Sequence, residues 1–357
     1  MTTESQLQAS GALLGAARGE ILGRLLSPSH LQTAETGSGQ AEGVLLPVAD
    51  HLLSELRRAL SWEAPALFVD CAAWAKAVLI QRGVPVAALT AHLEHVAAVL
   101  RRRLPKNSFD DAAGIIRAAL REVADSPEAQ TALLRADSPL TPLATLYFRA
   151  LLRGDRQTAS RLVLQAVESG TPVKEIYLHV FQPAQHELGR LWQFNRISVA
   201  EEHYATAATQ LIMSQLYPQV FSSDKVGRTV VAACVSGDLH ELGVRMVADF
   251  FEMAGWDSYY TGASSPMSAV LHAVVARRAD VLAISATMNH HVEDVRSLIG
   301  FIRGHVECES VKVIVGGFPF IRDPTLWRQV GADGSGADAE TAVVVGNGLV
   351  KTSRDRQ

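Results

Sequence analysis

Two hydrophobic periodicities divide the chain. Up to about residue 221 apolar positions recur every three or four residues, the spacing of one buried helix face, and beyond residue 228 short β-branched runs alternate with helical ones. Residues 11–26 place Leu13, Leu14, Ala17, Ile21 and Leu25 at helical spacing before Pro28. Residues 32–43, rich in Thr, Ser, Gly and Glu, predict a linker. Helical patterns follow over 48–60, 65–81, 86–104 and 109–123, so residues 1–137 read as an all-helical domain. After Asp137-Ser138-Pro139, helices over 143–152, 156–168, 173–192 with a kink at Pro183, and 199–216 capped by Ser198 predict a four-helix bundle at 138–222.

A short polar linker at 222–227 precedes a strictly alternating domain, 226–357. Strands are predicted over 229–235, 257–260, 281–286 and 311–315, and helices over 241–254, 266–277 and 291–304. A helical turn near Leu326 and a last helix over 337–345, stopped by Gly346-Asn347-Gly348, complete it. This alternation specifies a parallel sheet covered on both faces. The fold class is therefore α plus α/β, ending in a flavodoxin-like, doubly wound domain.

Composition narrows the function classes. The 357 residues are 48% hydrophobic with a net charge of −4, enough to bury a core in two or three domains. Apart from Arg101, Arg102 and Arg103 the cations are dispersed, which argues against direct nucleic-acid binding. Cys71, Cys234 and Cys308 form no CxxC pair and read as reduced cysteines of a cytoplasmic protein. No apolar run approaches a membrane span, and no signal core opens the chain.

The chemistry concentrates in V-V-A-A-C-V-S-G-D-L-H-E-L-G, residues 230–243, a strand that breaks at Ser236 and Gly237 and presents Asp238 and His240 before a helix. In an open parallel sheet such a loop borders the ligand crevice at the strands' carboxyl ends. An imidazole there can reach a metal, with Asp238 holding its other ring nitrogen. The same Asp-x-His pair also serves as a solvated turn or a cap. Ser285-Ala286-Thr287 ends the third strand and Gly316-Gly317 the fourth, so all three motifs face one crevice.

The ordered set Asp238-Leu239-His240-x-x-Gly243, Ser285-x-Thr287 and Gly316-Gly317 resembles the cobalamin-binding domain family, as does Gly331-Ala332-Asp333-Gly334. The resemblance implies that His240 is the lower cobalt ligand in place of dimethylbenzimidazole, that Asp238 supports it, that Ser285 contacts the displaced nucleotide tail, and that Gly316 and Gly317 make room for it. Within the bundle, Trp192 and Glu202-His203 resemble the helical cap of coenzyme B12-dependent photoreceptors of the light-regulated carotenoid repressor type. That implies Trp192 over the upper face of adenosylcobalamin and Glu202 on adenosyl hydroxyls. Those photoreceptors carry a histidine directly after the tryptophan; Gln193 stands here, and a carboxamide is a poor cobalt ligand, which leaves water or another imidazole such as His203 after light.

An N-terminal helical domain reminiscent of globin-like sensors, in place of a DNA-binding domain, makes the whole similar to the photocobilins, which pair cobalamin with biliverdin. The helix from Val86 carries Leu89, Leu93, Val96 and Leu100 on a stripe, with His92, His95 and Arg102 beside it, and Asp70 and Trp74 lie on the preceding helix. These five residues are the biliverdin candidates; the same pattern also fits an ordinary packed helix with a solvated basic end, or a docking domain with no chromophore. The resemblance implies a light sensor rather than an enzyme, with photolysis of the cobalt–carbon bond changing conformation and self-association. Because the chain ends soon after its last helix, the readout is expected from a homo-oligomer or a separate signalling partner. The alternative is a corrinoid carrier for methyl transfer.

Overall fold

The computed structural model describes residues 18–22, 38–125 and 138–350, with backbone alone for 38–42. Two compact units divide the chain, Met1–Thr131 and Ala132–Gln357.

The described part of the first unit is helical. Residues 18–22 form a helical turn, and α1 (Ser38–Ser61), α2 (Pro65–Gln81), α3 (Val86–Arg103) and α4 (Lys106–Asp125) follow. The rest of the helix expected over 11–26 lies outside the described residues. The linker expected at 32–43 is corrected: from Ser38 onward the chain is already α1, with Pro47 inside it. Glycine and serine composition misleads there, because helix formation follows the buried stripe Leu45, Val48, Leu52 and Leu56 rather than local propensity. Leu89, Leu93, Val96 and Leu100 of α3 enter the core as expected. His92 departs from expectation: it sits within that stripe, 2% exposed, and not beside it.

The second unit opens with α5 (Thr141–Leu152), α6 (Arg156–Glu168) and α7 (Val173–Ile176), which continues through a π-helical turn at Tyr177–Phe181 into α8 (Gln182–Gln193). The kink expected at Pro183 takes the form of that turn, which widens the hydrogen-bond ladder just where proline lacks its N–H. Then come α9 (Val199–Gln215) and a short α10 (Tyr217–Val220). Tyr147, Phe148, Tyr177, Phe181, Leu188 and Ile212 pack between these helices.

The alternating region is β1 (Thr229–Cys234), α11 (Leu242–Met253), β2 (Asp257–Tyr260), α12 (Met267–Arg277), β3 (Val281–Ser285), α13 (Val292–Arg303), β4 (Lys312–Gly316), α14 (Phe318–Arg322), α15 (Leu326–Gln329), β5 (Gly334–Ser335) and α16 (Ala339–Leu349). All strand pairs are parallel, in the order β2-β1-β3-β4-β5. The order reverses between β1 and β3, which opens the crevice where ligands bind in this architecture. Expectation missed β5, two residues long, and stopped the last helix too early. Gly346 lies inside α16, where a Cβ would come within 2.8 Å of the Phe251 ring, so the glycine serves close packing rather than a helix end.

Helix α11 joins bundle and sheet. Leu242, Met246 and Phe250 line one face and enter the bundle core, while Val244, Ala248 and Phe251 face the sheet. Each large side chain buried there stabilises the seam by about 1.5–3 kcal/mol. The linker expected at 222–227 is pinned to the end of this helix: Ser223 Oγ donates to Met253 O at 2.8 Å, Val226 N to Gly255 O at 2.8 Å, and Lys225 pairs with Glu252.

Candidate functional site

The three predicted loop motifs converge. In the sheet register Cys234 pairs with Ser285 and Ser285 with Gly316, so the ends of β1, β3 and β4 lie side by side. Beyond β1, Ser236 and Gly237 turn the chain, and Asp238 folds under it with 0% exposure. A buried carboxylate must be satisfied, and this one is. Its Oδ1 accepts from the His240 backbone N–H at 3.0 Å and meets His240 Nδ1 at 2.8 Å; its Oδ2 accepts from Thr287 N at 2.8 Å. A second imidazole, His291 Nδ1, stands 3.5 Å from Oδ2.

His240 therefore has its Nδ1 committed while its side chain is 55% exposed, which leaves Nε2 as the ring nitrogen offered to the crevice. Burial alone would raise the Asp238 carboxyl; bonds from the His240 ring and from the backbone N–H groups of His240 and Thr287 outweigh it and hold it below the usual range. The bond to Asp238, opposed by burial and assisted by the charges of Asp238 and Glu202, raises the His240 imidazole. Glu202 belongs to the bundle, and on the same helix Gln210 Nε2 donates to Glu241 Oε1 at 2.6 Å, which sets α9 beside the histidine loop.

The upper wall is built by local rules. Ser198 and Glu201 form a reciprocal capping box, which fixes where α9 begins and occupies Glu201. Glu202, the next carboxylate, stays outside that box and is half-buried. Thr206 Oγ1 donates to Glu202 Oε1 at 2.8 Å or Gln185 Oε1 at 3.0 Å, and Gln185 Nε2 donates to Thr209 Oγ1 at 2.8 Å. His203 is largely exposed, with Nε2 3.6 Å from Glu202 Oε2. Trp192, at the end of α8, leaves its indole 47% exposed, and Gln193 beside it is exposed as well.

Several candidates act differently from expectation. Thr287 reaches the site through its backbone. Gly317 adopts φ +102°, and a Cβ there would lie 2.0 Å from Ala286 O, so its missing side chain is taken up by the adjoining loop rather than by the crevice. A Cβ on Gly334 would strike Val345 at 2.6 Å, under α16. Gly243 meets nothing within 4 Å and opens onto free space, while Leu239 is 75% exposed beside it. In the first unit, Asp70, Trp74 and His95 are half-buried, Trp74 packs edge-on against His51 at 5.1 Å, and the exposed Arg102 guanidinium bonds Glu20 at 3.2 Å.

Sequence reasoning missed Gln185, Thr206, Gln210, Glu241 and His291. The four-residue spacing of Glu202, Thr206 and Gln210 on α9 could have marked a common face. The exposed Met288 and Phe318 at the same rim were also unmarked.

These residues fit a corrinoid. Among the described residues no group of three His, Cys, Asp or Glu could hold a metal ion, so a metal at His240 must bring its own remaining ligands. The single presented imidazole, its buried carboxylate partner and the open space over Gly243 meet that requirement. Among the described residues no helix is long and apolar enough to cross a membrane.

Comparison with known proteins agrees. Residues 228–344 match a B12 binding domain family, and residues 143–217 match a second family of the same description. The chain is 28% identical over 158 residues to a dimethylamine corrinoid protein of Methanosarcina barkeri, covering 44% of this chain and 71% of that protein. It is 32% identical over 123 residues to the HTH-type transcriptional repressor CarA of Myxococcus xanthus, covering 34% of this chain and 41% of that protein. The solved monomethylamine corrinoid protein of Methanosarcina barkeri has the same fold at 19% identity, with a TM-score of 0.53 over 59% of this chain and 100% of that one. Helical half at residues 143–217 and sheet half at 228–344, the chain carries a two-part B12-binding module that binds cobalamin.

Proposed function

We propose that this protein is a light-sensing photoreceptor that holds adenosylcobalamin between its bundle and its sheet, with biliverdin in the N-terminal helical unit. One observation carries the reading: the exposed Trp192 indole ends α8 and Glu202 stands in the first turn of α9, the helix that Gln210 ties to Glu241 beside His240 at 2.6 Å. An indole supplies a flat apolar wall, and a carboxylate is a strong acceptor for a ribose diol. When bound, adenosylcobalamin supplies a cobalt–carbon bond that light cleaves. His240 would hold the cobalt from below with Asp238 fixing its tautomer, and Trp192 and Glu202 would lose their contacts when the adenosyl group leaves. The bundle then settles differently against the sheet and changes self-association or the binding of a separate partner. This is signalling by the chain and not catalysis, and the likeness to CarA supports it.

A second reading, a corrinoid carrier for methyl transfer, draws support from the likeness to the dimethylamine corrinoid protein. Absorption spectra and size-exclusion profiles, dark and illuminated, with adenosylcobalamin and biliverdin supplied, separate the two. The photoreceptor gives a light-dependent spectrum and oligomer size, and biliverdin gains red absorbance. Indifference to light, with methylcobalamin bound and demethylated by a partner, supports the carrier and ends the photoreceptor reading.

A further inference from the structure

Glu202, Thr206, Gln210 and Ser214 recur every fourth residue of α9 and share one face of it. Glu202 stands in the first turn of that helix. Two turns on, about 12 Å along the axis, Gln210 Nε2 donates to Glu241 Oε1 at 2.6 Å. Glu241 directly follows His240 and precedes α11. Its other oxygen accepts from Tyr260 OH at 2.6 Å and from Ala263 N at 3.1 Å. Burial and the adjoining carboxylate push the Tyr260 phenol upward, so it remains a donor.

The loop after β2 also reaches the histidine loop. Ser264 N donates to Asp238 O at 2.9 Å, and Gly237 N to Ser264 Oγ at 2.9 Å. Three donors from two segments, α9 and the end of β2 with the loop that continues it, thus converge on one carboxylate beside the candidate cobalt ligand. Further down α9, Arg245 of α11 donates to Ser214 Oγ at 2.9 Å and to Tyr217 OH at 3.0 Å. Of these cross-links, Gln210–Glu241 stands nearest the site.

We propose that the Gln210–Glu241 hydrogen bond is a strut that sets the separation between the upper wall on α9 and the His240 loop, making both residues positioning residues for the lower ligand. This rests on the cobalamin reading of the site. Neither side chain needs to touch the cofactor. The strut fixes α9, which bears Glu202, against the His240 loop, and it carries a displacement of α9 to the residue beside His240. A carboxylate suits the post, since three donors satisfy its two oxygens and an amide in its place would turn N–H groups toward donors.

The test uses the full chain with Gln210→Leu, which removes the donor at similar size, Gln210→Lys, which retains one, and Gln210→Glu, which sets a like charge against Glu241. Adenosylcobalamin is titrated in the dark, and the cob(II)alamin-loaded proteins are examined by electron paramagnetic resonance for the nitrogen splitting of a coordinated imidazole. Losing a hydrogen bond to a charged group predicts about tenfold weaker binding for Gln210→Leu, with the nitrogen splitting lost in part of the population, and more for Gln210→Glu. Gln210→Lys should stay within about threefold of the parent, the donor being kept. If Gln210→Leu does not fold, the contrast between Lys and Glu decides. Equal affinity and splitting across the three variants, with only the thermal midpoint lowered, would make the bond merely structural and overturn the strut. Failure of the parent to bind cobalamin at all would instead overturn the cofactor reading, and the strut with it.

Discussion

Gly243 offers a perturbation whose two effects have opposite signs. It is the second residue of α11, exposed, and a Cβ built on it meets nothing within 4 Å. In the protein alone, Gly243→Ala removes backbone freedom from a helix and adds no clash, so stability should hold or rise by up to about 1 kcal/mol. If a corrin ring lies over the start of α11, the same methyl group intrudes on a tight contact at a cost of about 1–3 kcal/mol. That corresponds to roughly 5- to 150-fold weaker binding. Urea denaturation of the cofactor-free protein measures the first effect, and a dark titration with adenosylcobalamin the second. A structural glycine would show the reverse, with lower stability and unchanged affinity. Binding within twofold of the parent would refute the assignment of this face of the crevice to the cofactor.

Two other substitutions test neighbouring parts of the argument. Gly317→Ala places a methyl group 2.0 Å from Ala286 O at φ +102°, so it should destabilise the protein itself by about 3 kcal/mol or more, visible as a lower thermal midpoint without ligand; an unchanged midpoint would mean the loops can part freely. At the seam, Tyr177 OH donates to Asp249 Oδ2 at 2.9 Å, and burial pushes the Asp249 carboxyl up from 3.8 to about 6. The folded state therefore holds this proton more tightly than the unfolded chain. The contribution is complete below about pH 4 and is lost as pH rises through 6, to the extent of about 3 kcal/mol. Asp249→Asn should flatten that slope, so its unfolding free energy gains on the parent between pH 4 and 7; parallel curves would exclude Asp249 as the source.

How much of this was legible follows from how local each signal is. Asp238 and His240 are two residues apart on one loop, and the partnership their spacing suggested is present at 2.8 Å. The strands bearing Ser285 and Gly316 were equally readable, because β-branched runs end where the register places them side by side. Glu241 was silent for the opposite reason: its partners Gln210, Tyr260 and Ala263 lie 31, 19 and 22 residues away, on α9 and on the end of β2 with its following loop. Glycine misled at one place. Gly346 was read as a helix stop although a close aromatic ring demands it, while at Gly317 the Ala286 backbone lies where a Cβ would stand. In the first unit, the periodicity that marked Leu89, Leu93 and Val96 was right about the stripe but could not say that His92 joins it, since an imidazole is buried or exposed according to partners that lie elsewhere in the fold.

Helix α11 gathers these threads. Its first turn follows the His240 loop, one face feeds Leu242, Met246 and Phe250 into the bundle, and the other packs Val244, Ala248 and Phe251 on the sheet. Apolar contact of this kind resists separation but tolerates sliding, because it has no direction. Direction comes from the polar bonds placed along the seam: Gln210 to Glu241 beside the site, Arg245 to Ser214 and Tyr217 further on, and Tyr177 to Asp249 beyond. A bundle joined to its sheet by an apolar face and a row of polar ties is held in one register along α11, and the tie nearest the site, Gln210 to Glu241, fixes that register beside His240.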